Sequence, residues 1–521
     1  MTRHFGLLDA SGKKTHRVNE VSSNVVSVLQ AGAFFGALGS APLSGADPSA
    51  SARVPTLGIS DVQVICAPGR LRLVLVEVMR DEGALTLSTP RISPKIGRIY
   101  TLWAFTVIFV AGAILTTVAE GSNGLACIYA GRVISGLGIG AISAVSPAYV
   151  SEWSIDGYGW NKRWKKLILH YLDGVGLHIR TGVNVWRVPF GFQLVPAGIM
   201  AIGLLTIKES PRWLASVGRN EQAIKNLAYL RKEPIDSESI LSEMVEIEAA
   251  IEEERQARRG LGIKEAFFGK GNFIRFVIAF VIFLLQQWAG QNSDKAGLTS
   301  IGYSSQESSL LASGIYGVVK VVATAIFISF GVETLGRKLS LFISAMGMGT
   351  LFYIIGAILK THPPPPVIDG VAPDPPPASR AMAGLLYIYV CFYSMGWGPL
   401  PWVYVSDIFP TRTRHYGLAL ASSSQWLWNF VVSKVTPDMI SDLGYKIFIM
   451  FATVNIGAMG LFSLLVPETK GRSLEEMDVI FGSISAEQRQ AHIDERTRAD
   501  AHAHAKEKGS SDLSNSVDNK V

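Results

Sequence analysis

Charge and cysteine are both scarce in this chain. Only 17% of its 521 residues are charged, 48% are hydrophobic and mean hydropathy is +0.28; soluble domains carry roughly 25% charge. That balance excludes an ordinary soluble domain and makes the chain an integral membrane protein. Its three cysteines, Cys66, Cys127 and Cys391, lack metal-ligand spacing, and two lie in apolar stretches. Neither a metal centre nor a redox pair is expected, and no cofactor is implied. The N-terminus has no short apolar core followed by a small-residue cleavage site, so later spans are expected to direct insertion. The spans hold no nucleophile, metal cluster or acid–base constellation, which disfavours a membrane enzyme. The net charge of +6 does not point to nucleic acid, because Lys and Arg cluster in loops between apolar spans.

What is present is clearest from Ala381 to Pro437, two apolar spans joined by a short charged turn. Each is long enough to cross roughly 30 Å of hydrocarbon as a helix, and no acidic residue precedes Asp407. Yet Gly396, Gly398, Pro399 and Pro401 break the first, while the second carries Gln425, Trp426, Trp428 and Asn429. Loosened backbone survives at membrane depth where it lines a cavity, and buried amides need a partner or a ligand. The pair therefore reads as part of a binding site inside a membrane.

In chain order, residues 1–23 are polar, 24–207 form a first helical bundle, 208–272 a charged linker with amphipathic patterns, 273–466 a second bundle and 467–521 a polar tail. Within the first bundle, 44–94 fits no element and reads as an atypical insertion. Lys and Arg in the linker, at 336–338, 411–414 and 470–472 place those loops and the C-terminus in the cytoplasm. Counting spans backwards leaves residues 1–23 outside despite Arg3, Lys13, Lys14 and Arg17, so either a preceding span is missing or a weak segment is misread. Three pairs recur in order: Gly97-Arg98 with Gly336-Arg337, YVSE at 149–152 with YVSD at 404–407, and ESPR at 209–212 with ETKG at 468–471. Their offsets of 239, 255 and 259 residues imply two homologous halves with a ligand site between them.

The series GRVISGLGIGAISAVSPAYVSEWS (131–154), ESPRWL (209–214), LLQQWAGQN (284–292), VETLGRK (332–338), GPLPWVYVSDIFPTRTR (398–414) and VPETKGRSLEEMD (466–478) resembles the signatures of the sugar porter family of the major facilitator superfamily. Within it, 381–437 and 314–324 are most similar to quinate permeases and related monosaccharide transporters of filamentous fungi. The resemblance implies an all-α membrane fold of two pseudo-symmetric helical bundles, nominally 12 spans, of which about 10–11 are recognisable here. It also implies a multi-pass plasma-membrane transporter working by proton-coupled alternating access, whose partners are a small polyol acid or sugar, protons and the bilayer.

By that likeness Gln286, Gln287 and Asn292 are the hydroxyl partners, Trp402 the sugar-stacking tryptophan, and Gln425 and Trp426 the polar pair of the following span. The plainer reading of the amides is interhelical glue, at about 0.6 kcal/mol each. For any one tryptophan it is an interfacial anchor, which is the reading preferred for Trp397. Lys320 lies near the middle of an apolar span, where a lysine costs at least about 2.5 kcal/mol. A cavity-facing ammonium there would attract a carboxylate such as that of quinate; snorkelling is the alternative. Arg132, Glu152, Glu209 and Arg212 in one half, with Glu333, Arg337, Asp407, Arg412, Arg414 and Glu468 in the other, resemble the family's cytoplasmic charge networks, which would latch the halves.

The chain departs from the family in four places. The family's first span, with its proposed proton-accepting aspartate, has no counterpart, and 44–94 separates APLS from SPKIGR. The arginine motif and glutamine of the fifth span are missing between Ser154 and Asp173, and a tyrosine-rich piece is missing after Asn292. Quinate-type transport is the expectation; a neutral hexose or pentose transporter and a non-functional truncated product are alternatives. A signalling sensor is disfavoured because the tail after Asp478 is only about 40 residues.

Overall fold

Glycine decides how closely the first helices pack. In the computed structural model, residues 17–44, 98–119, 124–153, 187, 190–258, 268–269, 271–291, 298, 300–303, 306–365, 374–409, 413–470, 477 and 480–482 are described. α1 (Arg17–Ser44) lies along α3 (Gly124–Trp153), with Gly32 and Gly36 of one facing Gly136 and Gly140 of the other. A Cβ on Gly32 would stand 2.5 Å from the Val133 carbonyl oxygen, and one on Gly140 would stand 2.6 Å from Ala33 C and Cα. Only bare backbone fits, and lipid offers no hydrophobic drive to replace such packing. α2 (Arg98–Val118) packs on the opposite side of α3, where Gly112 meets Gly131 and Ser135. α4 (Leu194–Thr206) completes the described part of this half against α2.

Between the halves, α5 (Pro211–Ser216), α6 (Asn220–Arg231) and α7 (Glu238–Arg258) form a small cluster of their own. Trp213, Leu214, Leu227, Ile240 and Met244 are its core, and Arg231 chelates the Glu243 carboxylate at 2.8 and 2.9 Å. Ser210 caps α5, accepting from the Trp213 N–H, with Pro211 at the first helical position.

The second half comprises α8 (Asn272–Gln287), α9 (Gln306–Ile326), α10 (Arg337–Thr361), α11 (Pro377–Met395), α12 (Leu400–Ile408), α13 (Arg414–Leu443) and α14 (Lys446–Leu465). π-helical turns extend α9 over Phe327–Gly331 and interrupt α14 over Val454–Met459. Among the described residues, six helices are long and apolar enough to cross a membrane, and the apolar helices Phe190–Thr206 and Asn272–Gln287 are shorter. No described residue is in a strand, as expected of an all-α membrane fold.

Two sequence expectations need correcting. Helix α13 does not end at Pro437 but continues through it to Leu443. Proline is tolerated in a membrane helix where side chains and neighbouring helices re-satisfy the freed carbonyl. Trp397 is no interfacial anchor: it is fully buried, donating to the Leu341 carbonyl at 3.0 Å, with its ring 6.1 Å from that of Phe462. Residues 1–16, the insertion 45–94 and the stretch 154–173 lie outside the described residues, as do 471–476 and 483–521 of the tail.

Candidate functional site

Two membrane helices are broken at one level, and side chains close both breaks. α11 stops at Met395 and α12 resumes at Leu400 across Gly-Trp-Gly-Pro. The carbonyls freed at Trp397 and Gly398 accept from Gln286 Nε2 at 2.7 and 3.0 Å. α8 ends at Gln287, and Gly290 takes a left-handed φ of +94° with a Cβ position only 2.8 Å from the Phe352 ring. Here the freed Ala289 carbonyl accepts from Tyr389 Oη at 2.8 Å and Asn455 Nδ2 at 3.3 Å. A buried carbonyl without a donor costs about 1–3 kcal/mol, so these bonds are what permit the breaks.

Lys320, on α9, reaches the second break. Its ammonium donates to Gln291 Oε1 at 2.5 Å and stands 5.1 Å over the Tyr393 ring. It is half-buried, so its charge sits inside the bundle against an amide and an aromatic face. Gln286 and Gln287 are both buried, and Gln287 Nε2 donates to Gln286 Oε1 at 3.5 Å. The structure thus brings Gln286, Gln287 and Lys320 to the two breaks. Trp402 lies one turn beyond, edge-on to Phe283 at 4.6 Å. Asn292 lies outside the described residues.

α13 is a wall shared by both halves. One face meets α8, where Ser424 donates to the Phe280 carbonyl at 2.8 Å and Trp428 sits edge-on to Phe280. The other face meets α1 and α3. Trp426 Nε1 donates to Ser143 Oγ at 2.9 Å, and Ser143 and Ser422 share a 2.7 Å hydrogen bond. Gln30 Nε2 donates to Asn429 Oδ1 at 2.6 Å and to Ser433 Oγ at 3.0 Å, and Lys434 donates to Asn24 Oδ1. Gln425 Oε1 and Gln30 Oε1 are sealed from solvent without a donor among the described residues. Gln30, Ser143, Tyr389 and Asn455 escaped the sequence reading. Gln30 and Asn455 were visible as lone amides in apolar runs, whereas Ser143 and Tyr389 look like ordinary membrane-helix residues.

At the charged end of the bundle the two halves repeat one device. Glu209 accepts from the Ile99 N–H at 3.2 Å and the Ser210 N–H at 3.1 Å. Glu468 accepts from the N–H groups of Arg337, Lys338, Lys470 and Thr469 at 2.9–3.1 Å. Each glutamate caps the helix that opens at its Gly-Arg dipeptide, in register with the sequence offsets. Their acidities differ. Deeper burial raises the Glu209 carboxyl above its ordinary value despite the N–H groups of Ser210, Ile99 and Arg98. Partial burial also pushes Glu468 upward, but its four N–H partners outweigh this and hold it below.

Arg337 Nε stands 3.4 Å from Asp407 Oδ2, which also accepts from Thr469 at 3.0 Å; Arg414 donates to the Phe409 carbonyl at 3.4 Å. These contacts join elements within one half. Arg132 lies 4.6 Å over the Phe190 ring, and Arg212 is half-buried on α5. Arg412 and the side chains of Glu152 and Glu333 are outside the described residues.

Residues 83–163 and 167–481 match the family described as sugar (and other) transporter. The chain belongs to that family. The match reaches into both segments that the sequence sets apart, 44–94 and 154–173. Among relatives of the chain, a probable quinate permease of Aspergillus niger is 33% identical over 90% of this chain and 80% of its own length. The quinate permease of Emericella nidulans is 32% identical over 88% and 80%. The fold is that of the proton:xylose symporter XylE bound to 6-bromo-6-deoxy-D-glucose, with a TM-score of 0.65 and 21% identity over 92% of this chain and 93% of that one. The Escherichia coli xylose transporter XylE, partially occluded and inward-open, gives 0.61 and 21% over 90% and 92%. The likeness shows a fold shared with a major facilitator superfamily protein, in agreement with the expected fold class.

Proposed function

We propose that this transporter carries a polyhydroxylated ring bearing a carboxylate, of the quinate class, by proton-coupled alternating access across the plasma membrane. The observation that carries the reading is the Lys320 ammonium, seated at the break of α8 against Gln291 and Tyr393. A neutral sugar has no use for that charge; a carboxylate there gains a charge-assisted hydrogen bond. Relatives named quinate permeases support the same class. Gln287, Asn292, Gln425, Trp402 and Trp426 contact the ring, and Gln286, with both donors on the α12 break, positions them. The linker and C-terminus face the cytoplasm by their Lys and Arg content. The glutamates and arginines at that end, from Arg132 to Glu468, brace the helix ends that separate as the site changes sides.

The test is uptake of labelled quinate into proteoliposomes holding the full chain, with an imposed proton gradient and glucose or xylose as competitors. Lys320→Asn is expected to lower quinate uptake about tenfold or more, as loss of a charged hydrogen bond of 1.5–3 kcal/mol requires, and to make neutral sugars better competitors. An unchanged preference overturns the carboxylate reading. Sugar uptake by the unsubstituted protein in place of quinate identifies a neutral monosaccharide transporter.

A further inference from the structure

We propose that Gln30, on α1, is a specificity-determining residue that accepts a hydrogen bond from a ring hydroxyl of the transported molecule, alongside Gln425. The inference rests on the polyhydroxylated substrate class above, but not on its carboxylate.

Gln30 is only 7% exposed, and both hydrogens of its amide nitrogen are engaged by Asn429 and Ser433. Its geometry is therefore fixed from the far half, and its Oε1 is left as a buried acceptor with no donor among the described residues. Gln425 stands one helical turn before Asn429 on the same face of α13, and its Oε1 is in the same condition. Asn429, which holds Gln30, and Gln425 occupy successive turns of one α13 face, so two amides, one from each half, present buried acceptors along the same stretch of the seam, and acceptors attract hydroxyl hydrogens and repel carboxylates. A polyol supplies such donors in neighbouring pairs around its ring. The Lys320 ammonium at the α8 break is a donor site, so the two ends of the substrate are told apart: carboxylate to Lys320, hydroxyls to Gln30 and Gln425. Because Gln30 reports from the first half, its bond to the ligand joins the halves when the site is occupied. Bonds to Asn429 and Ser433 alone would make Gln30 an interhelical brace with no preference among ligands.

The experiment uses the purified full chain in proteoliposomes and inhibits labelled quinate uptake with quinate analogues each lacking one ring hydroxyl. In the unsubstituted protein, one deletion is expected to weaken inhibition about three- to tenfold, the range set by one hydrogen bond. Gln30→Met removes the acceptor and is expected to abolish that discrimination, so that the deoxy analogue and quinate inhibit alike. Gln30→Glu keeps an acceptor and stays held, because the Asn429 amide can turn to donate its Nδ2 and Ser433 can donate its hydroxyl to the carboxylate, and is expected to retain that discrimination. Thermal unfolding of each purified variant reports whether it is folded. An unsubstituted protein that penalises every hydroxyl deletion evenly overturns the proposal. So does Gln30→Met that raises the inhibition constant of all analogues by the same factor, or Gln30→Glu that behaves as Gln30→Met. If Gln30→Met fails to fold, the analogue profile of the unsubstituted protein and of Gln30→Glu decides alone. If quinate is not taken up at all, the carboxylate reading fails, and the same series run with deoxyglucoses against glucose uptake still decides Gln30.

Discussion

Gly140→Ala is the most exacting test of how the first half holds together. A methyl carbon at this position would overlap the Ala33 carbonyl and stand 2.6 Å from Ala33 C and Cα, all backbone atoms that cannot rotate away. Carbon atoms pack at about 3.5–4.0 Å, so α1 and α3 must part by about 1 Å, and a gap of that size forfeits up to about half the dispersion attraction along the seam. The expected cost is about 1–3 kcal/mol. Displacement also carries Ser143, which donates to the Gly140 carbonyl at 2.7 Å and holds Trp426 and Ser422 of the other half. Thermal unfolding of the detergent-purified protein should drop by several degrees, and substrate uptake should fall with it. Gly203→Ala is the control: nothing lies within 4 Å of its Cβ, and helix propensity favours alanine by about 0.5–1 kcal/mol. Equal unfolding temperatures for the two variants would refute the close-packed seam.

The two capping glutamates should respond oppositely to acid. Glu468 has a folded pKa below its ordinary 4.5, so its bonds stabilise the fold above that value and are lost as pH falls through the folded pKa. Glu209 has a raised pKa, so its contribution is present at low pH and lost as pH rises through the folded value. Urea unfolding of Glu468→Gln should thus show a deficit largest near neutral pH and shrinking on acidification, with Glu209→Gln the milder at pH 7; parallel profiles contradict the assignment. Tyr389→Phe removes the 2.8 Å donor to Ala289 and should cost about 1 kcal/mol in thermal unfolding, whereas Tyr353→Phe, whose exposed hydroxyl meets Thr453, should cost less than about half of that. Equal losses would mean that the α8 break needs no donor.

Legibility followed how local each signal was. Apolar length marks α2, α10 and α11 plainly, and the Gly-Pro cluster at 396–401 announces a break because no other arrangement of that backbone survives in lipid. Helix ends were less readable. α13 passes through Pro437 because tertiary surroundings override a local stop signal. Trp397 reads as interfacial by residue type, yet its indole fills the space between α10 and α14, a fact of packing between segments far apart in sequence. The donors that close the α8 break, Tyr389 and Asn455, come from 100 and 166 residues away. Asn455 stands out locally as a lone amide in an apolar run, but nothing near either residue marks Ala289 as its partner.

The distribution of contacts fits the proposed alternating mechanism. Within the first half, α1, α2 and α3 touch backbone to backbone through glycines, where any added atom collides. Within the second, each helix break is tied by buried side chains to a neighbouring element, Gln286 to α11–α12, and Tyr389 and Asn455 to α8. Between the halves, α13 meets α1 and α3 through hydroxyls, amides and the single ammonium of Lys434. Measured side-chain hydrogen bonds between membrane helices average about 0.6 kcal/mol, so these five bonds among the described residues are worth about 3 kcal/mol together. On the proposed mechanism it is this hydrogen-bonded seam that parts, whereas parting the glycine contacts would separate helices within one half. On that mechanism the molecule opens along α13, and the proposed ligand bridge between Gln30 and Gln425 would act at that line.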